Sequence, residues 1–160
     1  MDVKSVNLKQ ELDDLRKEEM GSIIEEYNKA KQSFIEKGKV ILKQAMKSYF
    51  EENPKIAAIT WTQYTPFFND GEPCVFHIGD LWPLTKSGLK AFKEDSGYGE
   101  EYSIGYEYDE DLTPEEIKLA ETGAGNIAQM PDDIFEDLFG DHVYVIATKK
   151  GFTVEEYEHD

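Results

Sequence analysis

The chain has one cysteine, Cys74, in 160 residues. An internal disulfide is therefore excluded, and with it the staple of small secreted domains, which favours a reducing compartment. Long apolar runs are missing too. No window approaches the roughly 18 uninterrupted apolar residues of a spanning helix, and Met1-Asp2-Val3-Lys4 lacks the apolar core of a signal peptide. These absences predict a cytoplasmic protein.

Positive charge is the third scarcity. Residues 56–160 carry 6 Lys/Arg against 23 Asp/Glu, whereas residues 1–55 carry 11 of each, so the second part holds the whole net charge of −17. Phosphate backbones and anionic membranes both bind through Lys and Arg, so neither direct nucleic-acid binding nor membrane binding is expected. A basic protein surface is the partner such a field favours, through fast and salt-sensitive encounter. Solubility alone also rewards high net charge.

Several chemical signatures are lacking as well. There is no HExxH, no CxxC pair and no EF-hand spacing, so no metal is assigned. The glycines at Gly97, Gly99, Gly105, Gly123 and Gly125 are followed by no Gly-Lys-Ser/Thr and sit among acids, which argues against a phosphate loop. Cys74 and His77 would point to opposite faces of a strand, so they do not make a nucleophile and base; a small buried thiol is the commoner role. No catalytic residue and no cofactor is assigned.

What is present begins with a helical pattern. Leu8, Leu12, Leu15, Glu19, Ile23, Tyr27, Ala30, Phe34, Gly38, Ile41, Ala45 and Tyr49 recur at spacings of three and four, along one stripe. An unbroken helix over residues 6–50 would be on the order of 60 Å long at about 1.5 Å per residue. Two alternatives follow. Gly21-Ser22 divides it, with Ser22 and Glu25 as a capping box, or the first part pairs with another chain, a homodimer through the N-terminal helix. The division is the favoured expectation, and Asn53-Pro54 ends the helix.

Ile56–Tyr64 and Cys74–Ile78 are rich in β-branched and aromatic residues and read as paired strands. Thr113-Pro114-Glu115-Glu116 opens a helix to about Thr122, stopped by Gly123-Ala124-Gly125. Pro131-Asp132-Asp133 opens another, with Ile134, Phe135, Leu138 and Phe139 on its apolar face. Residues 142–148 and 152–157 form a hairpin. The fold class is α+β: a long N-terminal helix or helix pair packed on a small antiparallel sheet of about four strands, with short connecting helices. The organisation is a helical region at 1–52 and an acidic α+β domain at 53–160, together one globular unit.

Two candidate sites stand out. Residues 94–116 hold ten Asp/Glu and no Lys or Arg, an exposed acidic segment in which Glu100, Glu101, Glu107, Asp109, Glu110 and Asp111 would bind a basic partner. The loop from Trp61 to Cys74 offers a ligand pocket, with Gln63, Tyr64, Asn69 and Asp70 as hydrogen-bonding groups and Trp61, Phe67 and Phe68 as stacking walls; packed aromatics and a capped turn are the other explanation.

The segment Trp61-Thr62-Gln63-Tyr64-Thr65-Pro66-Phe67-Phe68-Asn69-Asp70-Gly71-Glu72-Pro73-Cys74-Val75-Phe76 resembles a stretch of small uncharacterised proteins of tailed phages and their bacterial hosts. The final hairpin with its Glu-Glu-Tyr ending is similar to the end of the same proteins, and the resemblance covers about half of the chain. It implies a phage-type origin, action in the host cytoplasm, and no activity or site residue. With that origin, the acidic half implies an inhibitor or modulator of a host system, occupying a basic surface such as the groove of a nucleic-acid-processing enzyme. A small-molecule or nucleotide binder using the Trp61–Cys74 loop is the alternative.

Overall fold

The computed structural model describes residues 3–68, 70–95, 99–109 and 111–159, with side chains from residue 7 onward. The chain divides into two compact units, Met1–Lys37 and Gly38–Asp160.

The first helix, α1, is a single element of 50 residues, Val3–Glu52. The expected division at Gly21-Ser22 does not occur. A helical glycine costs only about 1 kcal/mol relative to alanine, and neither proline nor turn chemistry follows Gly21 to convert that cost into a break. The helix ends where expected: the Asn53 side chain donates to the Tyr49 carbonyl at 2.9 Å, and Pro54 cannot continue the hydrogen-bond ladder.

The second unit is an antiparallel sheet with helices on both faces. Its strands are β1 (Ile56–Tyr64), β2 (His77–Ile78), β3 (Trp82–Thr85), β4 (Val143–Thr148) and β5 (Gly151–Glu156). β1 is central, with β4 and then β5 along one side, while β2 and β3 share the other side at opposite ends of β1. The helices are α2 (Lys86–Asp95), α3 (Pro114–Ile127) and α4 (Asp132–Phe139). Alternation along the strands sorts the core. Ile59, Trp61, Val145 and Ala147 pack with Leu42, Met46, Phe50, Ala124 and Phe135, while Ala58 and Ile146 pack with Leu84, Phe92 and Tyr102 on the other face.

Two glycines permit close helix packing. A Cβ at Gly123 would lie 3.0 Å from the Tyr49 ring, whose hydroxyl donates to the Ala120 carbonyl at 3.0 Å. Burial, with Glu121 nearby, pushes the Tyr49 phenol well above its ordinary range. Gly123 and Gly125 thus sit inside α3 instead of ending it, and at Gly123 the contact with Tyr49 of α1 offsets the weak helix propensity. A Cβ at Gly88 in α2 would lie 2.5 Å from the Tyr102 carbonyl oxygen.

Three other expectations need correcting. Cys74 is exposed and precedes the strand, since only His77 and Ile78 pair with β1. The acidic segment is not uniformly exposed, because Tyr102, Ser103 and Ile104 are buried. β3 and α2 occupy a stretch in which the sequence pattern predicted no element.

Candidate cation-binding site

Two of the residues expected to hold a ligand are shut inside the fold. Trp61 and Gln63 are both 0% exposed. The Trp61 indole N–H donates to Gln63 Oε1 at 2.9 Å, and Gln63 Nε2 donates to the carbonyls of Phe135 at 3.0 Å and Gly140 at 2.7 Å. Trp61 packs edge-on against Phe135 and Phe139, with centroids 5.9 and 5.6 Å apart. Neither side chain therefore faces a ligand; the polar groups of this tryptophan and glutamine satisfy each other and carbonyls in the middle of α4 and just after its end.

The rest of that loop is anchored outside the core. Tyr64 packs against His77, Tyr157 and His159, and Phe67 stacks on His142 and His159 with centroids 5.0 and 4.5 Å away. His142 Nδ1 and His159 Nε2 share a hydrogen bond of 2.7 Å. Asp141 fastens the loop, accepting from the Thr65 N–H at 2.7 Å and the Thr65 hydroxyl at 2.6 Å. Burial works to raise the Asp141 carboxyl, but the hydrogen bonds from Thr65 and His142 outweigh it and hold the group below its usual range. Asp70 is exposed with φ of 40°, a turn conformation that Asp tolerates, and Asn69 lies outside the described residues.

The acidic segment is built differently. A 3-10 turn at Glu100–Tyr102 leads into the buried residues Tyr102, Ser103 and Ile104, and the Ile104 N–H donates to the Pro83 carbonyl at 3.0 Å. Thr85, fully buried, donates its hydroxyl to the Tyr108 carbonyl at 2.7 Å and accepts from the Gly88 N–H at 3.2 Å. One threonine thus caps the start of α2 and holds the far end of the acidic loop. Gly99, with φ of 120°, passes so close to Trp82 that a Cβ there would lie 2.6 Å from the indole.

On this fixed backbone the carboxylates face outward. Glu100 accepts from the Tyr106 hydroxyl at 2.9 Å, which with the negative charge raises the Tyr106 phenol above its ordinary value. Asp109 accepts from the Gly105 N–H. Glu101, Glu107 and Asp111 are exposed, and Glu110 lies outside the described residues. Lys55 offsets one end, pairing with Glu116 at 3.1 Å and reaching the Asp111 carbonyl at 3.4 Å. Glu116 is held below its usual range, first by the Thr113 N–H and then by Lys55. The same Thr113 and Glu116 form the capping box that starts α3.

Beside this loop lies a cavity of about 440 Å³ between β3 and α3. Asp80 and Glu121 supply its carboxylates, Pro83, Ile104 and Ala128 apolar lining, and Gly105 and Tyr106 join it to the acidic loop. Among the described residues its lining contains no Lys or Arg. The volume falls within the roughly 300–1,000 Å³ of small-ligand sites.

Apart from Lys39, Lys55 and Lys118, the lysines of the second unit line two depressions away from this cavity. Lys86, Lys90 and Lys93 border one shallow depression on α2, on the side of that helix away from buried Gly88 and Phe92. Lys43, Lys47, Lys149 and Lys150 line another depression beside the β4–β5 turn. Among the described residues no group of three or more His, Cys, Asp or Glu is placed to hold a metal ion, and no helix is long and apolar enough to cross a membrane.

Sequence reasoning assigned neither Asp80 nor Glu121 to a shared cavity. Asp80 stands at the start of the unread stretch, and Glu121 is one of many helix acids; only the fold brings them to one cavity. Comparison with protein-family models, curated proteins and solved structures finds no match for the chain.

Proposed function

We propose that the protein is an interaction module that docks on a basic surface of another protein, its cavity between Asp80 and Glu121 receiving a Lys or Arg side chain. The observation that carries this reading is that cavity, which has carboxylates at its lining and opens beside the loop bearing Glu100, Glu101, Glu107, Asp109 and Asp111. A cationic side chain entering it exchanges water for carboxylates in a partly enclosed site, where a charge-assisted hydrogen bond is stronger than on open surface. The surrounding negative field speeds encounter with a basic partner and weakens as salt screens it. With a phage-type origin, the partner is a host protein whose basic surface, such as a nucleic-acid-binding groove, would be occupied and thereby inhibited.

The test is calorimetry with an arginine-rich peptide across a salt series. The Asp80→Asn/Glu121→Gln variant should lose about tenfold or more in affinity, as expected for charge-assisted contacts, and neutralising Glu100, Glu101, Glu107, Asp109, Glu110 and Asp111 should flatten the salt dependence. Unchanged affinity in both variants would dismiss the proposal. The burial of Trp61 and Gln63 removes one stacking wall and one hydrogen-bonding group from the alternative, a small-molecule or nucleotide site in the Trp61–Cys74 loop.

A further inference from the structure

The first unit presents an apolar stripe with a partner still to be assigned. Leu8, Leu12, Leu15, Ile23, Tyr27 and Phe34 lie on one face of α1 and expose between 49% and 65% of their surfaces. In folded proteins a helix draws most of its stability from burying such a face. Leu12, Leu15 and Glu19, and again Tyr27, Ala30 and Phe34, follow one another at intervals of three and four, the spacing of a coiled-coil seam.

We infer that this stripe is the interface of a parallel, in-register homodimer. Area supports a second copy as the occupant. Six half-exposed large side chains from each of two copies, at on the order of 100 Å² each, give roughly 1,200 Å², the lower bound for a specific interface. Charge sets the orientation. Glu11, Glu18 and Glu26 lie along one edge of the stripe, and Lys9, Arg16 and Lys31 along the other. Asp13 and Lys29 run against this pattern, and Lys29 is paired with Glu25 at 3.4 Å within the helix.

In an antiparallel pair each edge meets its own copy, which sets acids against acids and bases against bases. In a parallel pair opposite edges meet, and the residue before one core position faces the residue five further on in the partner. That geometry sets Glu11 against Arg16 of the second copy and Glu26 against Lys31 of the second copy, each twice by symmetry. Glu19 in the stripe meets its own equivalent. A like-charged pair there weakens association and leaves the dimer sensitive to concentration, as polar core positions do in coiled coils.

Sedimentation equilibrium of the full chain tests the inference. A mass moving from monomer to dimer with rising concentration is expected, with dissociation in roughly the micromolar range. Ile23→Glu should hold the chain monomeric, and Glu19→Leu should tighten the dimer at least tenfold. Thermal unfolding of the second unit should be unchanged in both, showing that the fold is intact. Orientation is read with Leu8→Cys in a Cys74→Ser background, which should oxidise to a disulfide-linked dimer because equivalent positions adjoin. A monomer at every concentration up to about 1 mM, a larger closed oligomer, or a dimer that this cysteine fails to link would each overturn the inference. The stripe lies wholly within residues 8–34, so failure of the dimer leaves the peptide-binding measurement untouched, and the reverse also holds.

Discussion

Two loops beside the central strand contain aromatic and acidic residues, and they reach opposite outcomes. Around residues 61–68 the polar groups find internal partners: Gln63 serves Trp61 and two carbonyls, and Asp141 accepts twice from Thr65. Around residues 99–111 carboxylates outnumber the donors within reach, so Tyr106 and Gly105 engage one each while Glu101 and Glu107 stay in solvent. The difference teaches that the ratio of donors to acceptors, more than aromatic content, decides whether a loop closes on itself or remains open to a partner.

The sharpest way to break this comparison is to open the closed loop. Gln63→Leu strands the Trp61 indole N–H and the Phe135 and Gly140 carbonyls, and should destabilise the protein by about 3 kcal/mol. Denaturant unfolding should show a lower midpoint at unchanged slope, with arginine-peptide binding by the folded protein intact. Next comes Gly99→Ala, which places a methyl against Trp82 in a backbone conformation that alanine disfavours. A loss of about 2 kcal/mol is expected, and here peptide affinity should fall as well, because the acidic loop is displaced.

Asp141→Asn sharpens the contrast through pH. The Asp141 carboxyl titrates lower in the folded chain than in the unfolded one, so its contribution is present above the unfolded carboxylate value near pH 4 and disappears as pH falls through the folded value. The variant should lose about 1 kcal/mol at pH 7, discounted for the partial exposure of the group. The gap between the two proteins should shrink in acid, as urea titrations at several pH values would show. The smallest effect belongs to Tyr106→Phe. Losing the hydroxyl that holds Glu100 should change peptide affinity by only about twofold to threefold, since a solvated hydrogen bond contributes little net energy.

The elements with strong local chemistry were legible in the sequence. Thr113, Pro114 and Glu116 announced α3, Pro131 announced α4, and Gly151 marked the last hairpin. Features set by long-range contact were not. Gly123 looks like a helix stop until Tyr49 is seen packed against it, and Gly21 looks like a break although nothing nearby enforces one. β3 is short and carries Pro83, and α2 carries Gly88, so neither has a strong local signature. The acidic loop was visible as a run of charge, but the cavity beside it was not. Asp80 and Glu121 stand 41 positions apart in the chain, and no local pattern links them.

Gly88 gives this arrangement a built-in adjuster. Its missing side chain sets the spacing between α2 and the Tyr102 carbonyl, a backbone atom that cannot rotate aside. A methyl at this position would act as a shim, lifting the carboxylate-bearing loop away from β3 while every charge in it is kept. The placement of the negative field can therefore be tuned separately from its strength, by drift at one uncharged residue.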